Sequence, residues 1–206
     1  MEIEAKFAVP DEATLDRLVQ ADQLGGYVLG VAATKRMHDV FLDTPDRAVI
    51  RSGHVCRQRE FGDRVEMTLK SEHIVEGAVH TRRELMLELP RPLPVRDWPA
   101  GEFRSTVLAL SDGADLQPLF DQRQERVVRL MSQGDRIVAE FSADRVELAH
   151  GDRRRVYFEV EVELKDGGTL ADLERIVAAL TNDWGLSPEA RSKFERALEF
   201  SAEDNS

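Results

Sequence analysis

At 206 residues the chain can bury a substantial core as one large domain or two small ones, and a content of 42% hydrophobic and 33% charged residues excludes a disordered polymer. A net charge of −11 excludes a surface built to lie along nucleic acid or anionic lipid, while leaving room for a local basic site. The single Cys56 can form no internal disulfide, no apolar run approaches membrane-spanning length, and Glu2 and Glu4 stand where a signal peptide would be basic and apolar. These features give the expectation of a soluble, cytoplasmic protein with no membrane or nucleic-acid partner.

The opening MEIEAKFAV alternates, with Glu2, Glu4 and Lys6 on one face of a predicted strand and Ile3, Ala5 and Phe7 on the other. Asp11 can N-cap a helix whose apolar residues are Leu15, Leu18 and Val19. In HVCRQRE, Arg57 and Arg59 share a side. In VEMTLK, Glu66, Thr68 and Lys70 oppose Val65, Met67 and Leu69. TRRELMLEL sets Arg82, Glu84, Met86 and Glu88 against Arg83, Leu85, Leu87 and Leu89. The Pro-rich residues 89–103 exclude helix interior and central strand, and read as a crossover between two halves of one sheet, followed by a short helix around Phe103–Leu110. In DQRQERVVRL, Asp121, Arg123 and Glu125 share a face; in RVYFEVEVEL, Tyr157, Glu159, Glu161 and Glu163 oppose Val156, Phe158, Val160, Val162 and Leu164. Thr169 and Asp172 form a capping-box start for LADLERIVAAL. Ser187-Pro188 reads as the N-cap and first position of a last helix. The polar end is expected to fray, giving one domain over residues 1–200 and a disordered tail over 201–206.

Each strand alone fits an antiparallel sheet with one wet face. As a set, the polar faces use long carboxylates and guanidinium groups almost to the exclusion of Ser, Gln and Asn, and four amphipathic helices need apolar surface to cover. The expected architecture is therefore α+β: a closed antiparallel β-barrel, apolar outward under helices, with a charged lumen.

Such a lumen would hold Glu2, Glu4, Glu159 and Glu161. The five histidines are scattered without a zinc-binding pair, whereas clustered carboxylates suit Mg²⁺ or Mn²⁺. Facing them, Lys6, Arg57, Arg59, Lys70, Arg82 and Arg123 offer cationic donors of the kind that grip phosphate. Singly, each is a solvated charge or surface ion pair; as a set they point to a polyphosphate substrate. There is no P-loop glycine pattern, so side chains must hold the phosphate.

In these residues the sequence resembles the CYTH family, the triphosphate tunnel metalloenzymes. Glu2, Glu4 and Lys6 match its E-x-E-x-K hallmark. FLDTPDRAVIRSGHVCRQRE, with Asp43, Thr44, Arg57 and Arg59, resembles its Y-F-D-T segment and L-R-x-R strand, with Phe41-Leu42 in place of the aromatic pair. Lys70, the pair Arg82 and Glu84, the pair Arg123 and Arg126, Asp144, the pair Glu159 and Glu161, and the pair Ser192 and Lys193 follow in the family's order. The resemblance implies an eight-stranded tunnel binding a triphosphate with Mg²⁺ or Mn²⁺. It implies Glu2, Glu4 and Glu161 as leading metal ligands, Glu159 and Asp144 assisting, and Arg57, Arg59, Lys70, Arg82, Arg123 and Lys193 on the phosphates. Lys6 would contact phosphate or set the carboxylate pKa values. Arg126 has the opposite strand parity to Arg123, and Arg123 is taken as the inward one. The implied activity is hydrolysis of inorganic tripolyphosphate or of a small organic triphosphate, such as thiamine triphosphate or a nucleotide. The alternatives are a class IV adenylate cyclase and a non-catalytic polyphosphate- or nucleotide-binding module. A homodimer is left open.

Overall fold

The computed structural model describes residues 2–61, 64–71, 74–76, 79–82, 84–150 and 152–202. The first half runs β1 (Glu2–Val9), α1 (Glu12–Gln20), β2 (Gln23–Leu24), β3 (Tyr27–Leu29), β4 (Ala33–Asp43), α2 (Ala48–Arg51), β5 (His54–Phe61) and β6 (Arg64–Ser71). Then come β7 (Ile74–Glu76), β8 (Val79–Arg82), β9 (Glu84–Leu89), a 3-10 turn (Val95–Asp97) and α3 (Glu102–Leu110). The second half is β10 (Gln117–Gln133), β11 (Arg136–His150), β12 (Arg153–Leu164), α4 (Leu170–Asn182), β13 (Ser187–Pro188) and α5 (Lys193–Ala202).

The ladders are antiparallel, in the order β7-β8-β1-β12-β11-β10-β4-β5-β6-β9. β8 pairs with β1, while β9, the next piece of chain, pairs with β6. The sheet thus comes round on itself through the continuity of β8 into β9, with no hydrogen-bonded ladder between those two among the described residues. Taking β6 with β7 and β8 with β9 as single staves, the tunnel has the eight walls expected of it.

Alternation decides what faces out. Ala5, Phe7, Phe141, Val160 and Val162 meet Leu15 and Leu18 of α1 and Leu173, Ile176 and Leu180 of α4. On the other side Cys56, Val65, Met67 and Leu69 meet Val95, Trp98, Phe103 and Val107 from the Pro-rich crossover and α3. The Asp11 and Thr169 caps form as the sequence predicts: Thr14 N donates to Asp11 Oδ1 at 2.7 Å, and Thr169 and Asp172 complete a reciprocal capping box. Asp172 also accepts from Tyr27 Oη at 2.7 Å and from Arg136, tying α4 to the sheet.

The last helix differs from its prediction in start and in place. Ser187-Pro188 forms β13 against Phe7 and Ala8 of β1, and Glu189 N extends that pairing by donating to Lys6 O at 3.0 Å. Proline's fixed φ and missing N–H are compatible with a short edge strand as well as with a helix start. The cap is Ser192, whose Oγ accepts from Glu195 N while Glu195 Oε2 accepts from Ser192 N. The helix then continues through Ala202, past the expected boundary at residue 200, and residues 203–206 lie outside the described ones. Its Phe194, Ala197 and Phe200 pack against Phe41, Val146, Leu148 and Tyr157, side chains of the inward faces. α5 therefore fills one end of the tunnel.

The α2 turn has no periodic signature. It exists because Asp43, fully buried, caps it from the end of β4: its carboxylate accepts from Thr44 N at 2.7 Å, Val49 N at 2.9 Å and Ile50 N at 3.1 Å. Asp43 is thus a structural anchor. Removing it strands buried N–H groups, so Asp43→Ala should cost about 2–4 kcal/mol, or roughly 5–15 °C in melting temperature for a chain of this size. Thermal unfolding followed by circular dichroism checks this; a shift under about 2 °C would show that the carboxylate does not hold α2.

Candidate active site

Register brings the acidic groups together. Asp144 of β11 lies opposite Glu159 of β12, and Glu161, two residues on, points to the same face and lies opposite Lys6 of β1. Carboxylate oxygens of Asp144, Glu159 and Glu161 lie within 4.8 Å of one another, and all three residues are buried. Like charges so close in a dry wall require countercharge. Lys193 supplies it from the start of α5: its Nζ lies 2.8 Å from Glu161 Oε1 and 3.0 Å from Asp144 Oδ2, and also meets Glu159. Arg126 of β10 forks onto Asp144 at 2.7 and 2.6 Å and reaches Glu161. Lys6, 1% exposed, places its Nζ 3.5 Å from Glu161 Oε1.

Burial alone would raise the pKa of every carboxyl here. For Asp144 the Lys193 and Arg126 charges outweigh burial and hold it below the ordinary range. Glu161, with Lys193, Arg126 and Lys6 around it, is held well below. For Glu159 burial prevails over Lys193 and Lys6, and its carboxyl titrates above the usual value. Burial would likewise lower the Lys193 ammonium, but the three carboxylates push it well above a normal lysine.

A second charged group lines the wall formed by β4, β5, β6 and β9. Arg59 forks onto the buried Asp39 with both bonds at 2.6 Å. Arg57 donates to Thr68 Oγ1 at 3.0 Å and lies 3.6 Å from Glu66, and Lys70 pairs with Glu84 at 3.1 Å. Both groups border one cavity of about 450 Å³, which Glu4, Lys6, Lys193 and the exposed Lys35 also line.

Of the residues singled out from sequence, the structure brings Glu4, Lys6, Arg57, Arg59, Lys70, Glu161 and Lys193 to this cavity, with Asp144 and Glu159 beneath Lys193. Glu2 and Arg82 are opposite one another in the β1–β8 ladder, and their side chains lie outside the described ones. Arg123 is a correction. It is exposed on the outer face of β10, and the inward residues are Gln122, Gln124 and Arg126. The premise that charged faces point inward fails there because the outer surface of β4, β10 and β11 is itself charged: Arg36 meets Glu125 at 2.9 Å, and Arg145 lies near Glu147. Asp39 was missed. Its position in MHDVFLD, alternating with Met37 and Phe41, places it on an inward face.

A family model described as the CYTH domain matches residues 1–197. The chain belongs to that family. Among solved structures, the Hippeastrum protein HpAC1, named for an adenylyl cyclase and reported with a dominant triphosphatase activity, is 17% identical with a TM-score of 0.70 and covers 97% of this chain and 96% of its own. A protein from Bacillus halodurans provisionally classed as an adenylate cyclase is 18% identical with a TM-score of 0.65, covering 95% and 96%. A Vibrio parahaemolyticus protein of the same provisional class is 15% identical with a TM-score of 0.52, covering 96% and 97%. At these identities the likeness establishes the tunnel fold of this CYTH domain. Among the described residues no helix is long and apolar enough to cross a membrane.

Lys193 is the hinge of the charge balance, which gives a pH-dependent prediction for the metal-free protein. A carboxyl with a depressed folded pKa contributes stability above its unfolded pKa and loses it as pH falls through the folded one. Lys193→Met, which removes one of the two cations that pair with both Asp144 and Glu161, should therefore cost about 3 kcal/mol near pH 7, and the deficit should shrink as pH falls below about 4. Melting curves of both proteins with a chelator across that range test it; a deficit independent of pH would contradict the assignment.

Proposed function

We propose that this CYTH domain is a metal-dependent triphosphatase that hydrolyses a phosphoanhydride bond of inorganic tripolyphosphate or a small organic triphosphate held in the tunnel. The observation that carries the reading is the convergence of Asp144, Glu159 and Glu161 beside Arg126 and beneath Lys193, at the edge of a cavity whose other wall carries Arg57, Arg59 and Lys70. The donor set fits a hard divalent cation, Mg²⁺ or Mn²⁺, since it is all oxygen, buried and clustered. Asp144, Glu159 and Glu161 would hold it, with Glu4 and Glu2 on the adjoining strand. When bound, the metal supplies charge neutralisation and Lewis-acid polarisation at a phosphoryl oxygen.

The chain's own groups do the rest. Arg57, Arg59 and Lys70 bind the phosphate oxygens, and Arg57 and Arg59 are held in place before substrate arrives by Thr68 and Asp39. Such preorganisation lets charge stabilisation act without reordering during reaction. Arg126 links the carboxylates to the phosphate path, and Lys6 holds Glu161 in position from β1. Lys193 must share or yield its place among the carboxylates when a cation enters. The dominant triphosphatase activity reported for HpAC1 supports hydrolysis over cyclisation on this fold.

Incubation with tripolyphosphate, thiamine triphosphate or ATP, each with Mg²⁺ or Mn²⁺, should release orthophosphate; cyclic AMP with pyrophosphate would instead establish a cyclase. Glu161→Gln should lower kcat by roughly 100-fold or more, as expected for loss of a charge that organises the transition state. Arg126→Ala should lower kcat/KM by about 30-fold or more, while Arg123→Ala stays within about twofold of the parent. A larger loss at Arg123 than at Arg126 would reverse the inward and outward assignment.

A further inference from the structure

Lys193 is shared by all three carboxylates of the cluster, so a divalent cation entering there must displace or divide its contacts. Two of the three keep another partner when Lys193 moves. Asp144 keeps the Arg126 fork, and Glu161 keeps Arg126 and Lys6. Glu159, fully buried, pairs with neither. Among the described residues its remaining ion-pair partner is Arg196, whose Nη1 lies 3.5 Å from Glu159 Oε2.

Arg196 follows Lys193 by three residues, one turn along α5, so one face of the helix delivers both cations. Unlike Lys193, it is fixed by groups outside the carboxylate cluster. Its guanidinium carbon lies 3.6 Å from the centre of the Tyr157 ring, and Tyr157 precedes Glu159 by two residues on the same face of β12. Arg196 Nη1 also lies 3.4 Å from Glu189 Oε2. Glu189 is itself buried and held: it accepts from Arg191 Nε at 2.8 Å, Arg191 Nη2 at 2.7 Å and Arg191 N at 3.0 Å. Its own N–H donates to Lys6 O. A continuous path therefore runs from the backbone of β1 through Glu189 and Arg196 to Glu159. Arg196 does not line the cavity, so its part is to hold Glu159 and not to touch substrate.

We propose that Arg196 is a positioning residue of the cation site, which holds the Glu159 carboxylate beside Asp144 and Glu161 when Lys193 gives way to a metal. This inference rests on the metal-dependent reading of the cluster. Charge and positioning act here in opposite directions. As a bare charge Arg196 repels a divalent cation, and removing it would tighten metal binding. As the partner that orients a ligand, its removal weakens metal binding by roughly 10- to 100-fold.

The test titrates the metal-free protein with Mn²⁺ alone, following free Mn²⁺ by electron paramagnetic resonance, in the parent, Arg196→Met and Arg196→Lys. Melting curves of each metal-free protein accompany the titrations. Arg196→Met should bind Mn²⁺ about tenfold or more weakly than the parent, and Arg196→Lys, which returns a cation to Glu159, should lie within about threefold of it. A merely structural arginine would lower the melting temperature and leave the affinity unchanged. A smaller loss, unchanged or tighter binding in Arg196→Met, or a lysine variant as weak as the methionine one, overturns the assignment. Should Arg196→Met not fold, parent crystals soaked in Mn²⁺ decide it. Arg196 keeping both Glu159 and Glu189 while Lys193 moves supports the proposal, and Arg196 leaving Glu159 overturns it. A parent that binds no Mn²⁺ overturns the metal reading and this inference together, whereas failure confined to the variants leaves the metal reading standing.

Discussion

The structure depends on holding three carboxylates, Asp144, Glu159 and Glu161, against one another out of water. This is tolerable only because four cations reach them from different parts of the chain: Lys6 on β1, Arg126 on β10, and Lys193 and Arg196 on α5. No segment of local sequence could assemble this set. A sheet that comes round on itself can, because antiparallel register fixes Lys6 opposite Glu161 and Asp144 opposite Glu159 regardless of the separation in sequence. Dressing the outer faces with α1, α3 and α4 makes the inward orientation of the charges the favourable one, since the Val, Leu and Phe faces are buried under those helices.

The lumen divides by chemistry. One part collects carboxylates and the cations that balance them. A second presents Arg57, Arg59 and Lys70, each held by its own acceptor. The third is apolar, closed by Phe194, with Gln122 and Gln124 between it and Arg126 along β10. The basic groups coexist with a net charge of −11 because the acidic excess is distributed over the whole chain, and local charge decides what enters.

Period-two alternation exposed most of this in the sequence. VEMTLK and RVYFEVEVEL each show one charged and one apolar face, and those faces point as the alternation predicts. The Thr169 capping box and the Asp11 cap were legible because they act within three residues. What escaped depended on distant partners. Asp43 reaches forward to cap α2, and Ser187-Pro188 is drawn into pairing with β1, which converts a plausible helix start into an edge strand. Arg123 was misplaced because both faces of that part of β10 are polar, so alternation alone could not tell wall from surface. Gln122 and Gln124 carry no charge and stood outside a pattern read from charged residues, although both are buried on the inward face of β10.

If the carboxylate cluster and the arginine wall together form one cation–triphosphate site, cation and phosphate chain must be found side by side between them. The most direct measurement is an anomalous difference map from crystals grown with Mn²⁺ and tripolyphosphate, collected at the manganese edge. A dominant peak bordered by Asp144, Glu159 and Glu161 is expected, with phosphate density extending toward Arg57 and Arg59 and Lys193 displaced from its present contacts. Manganese bound elsewhere, with Lys193 still seated among the three carboxylates, would contradict it.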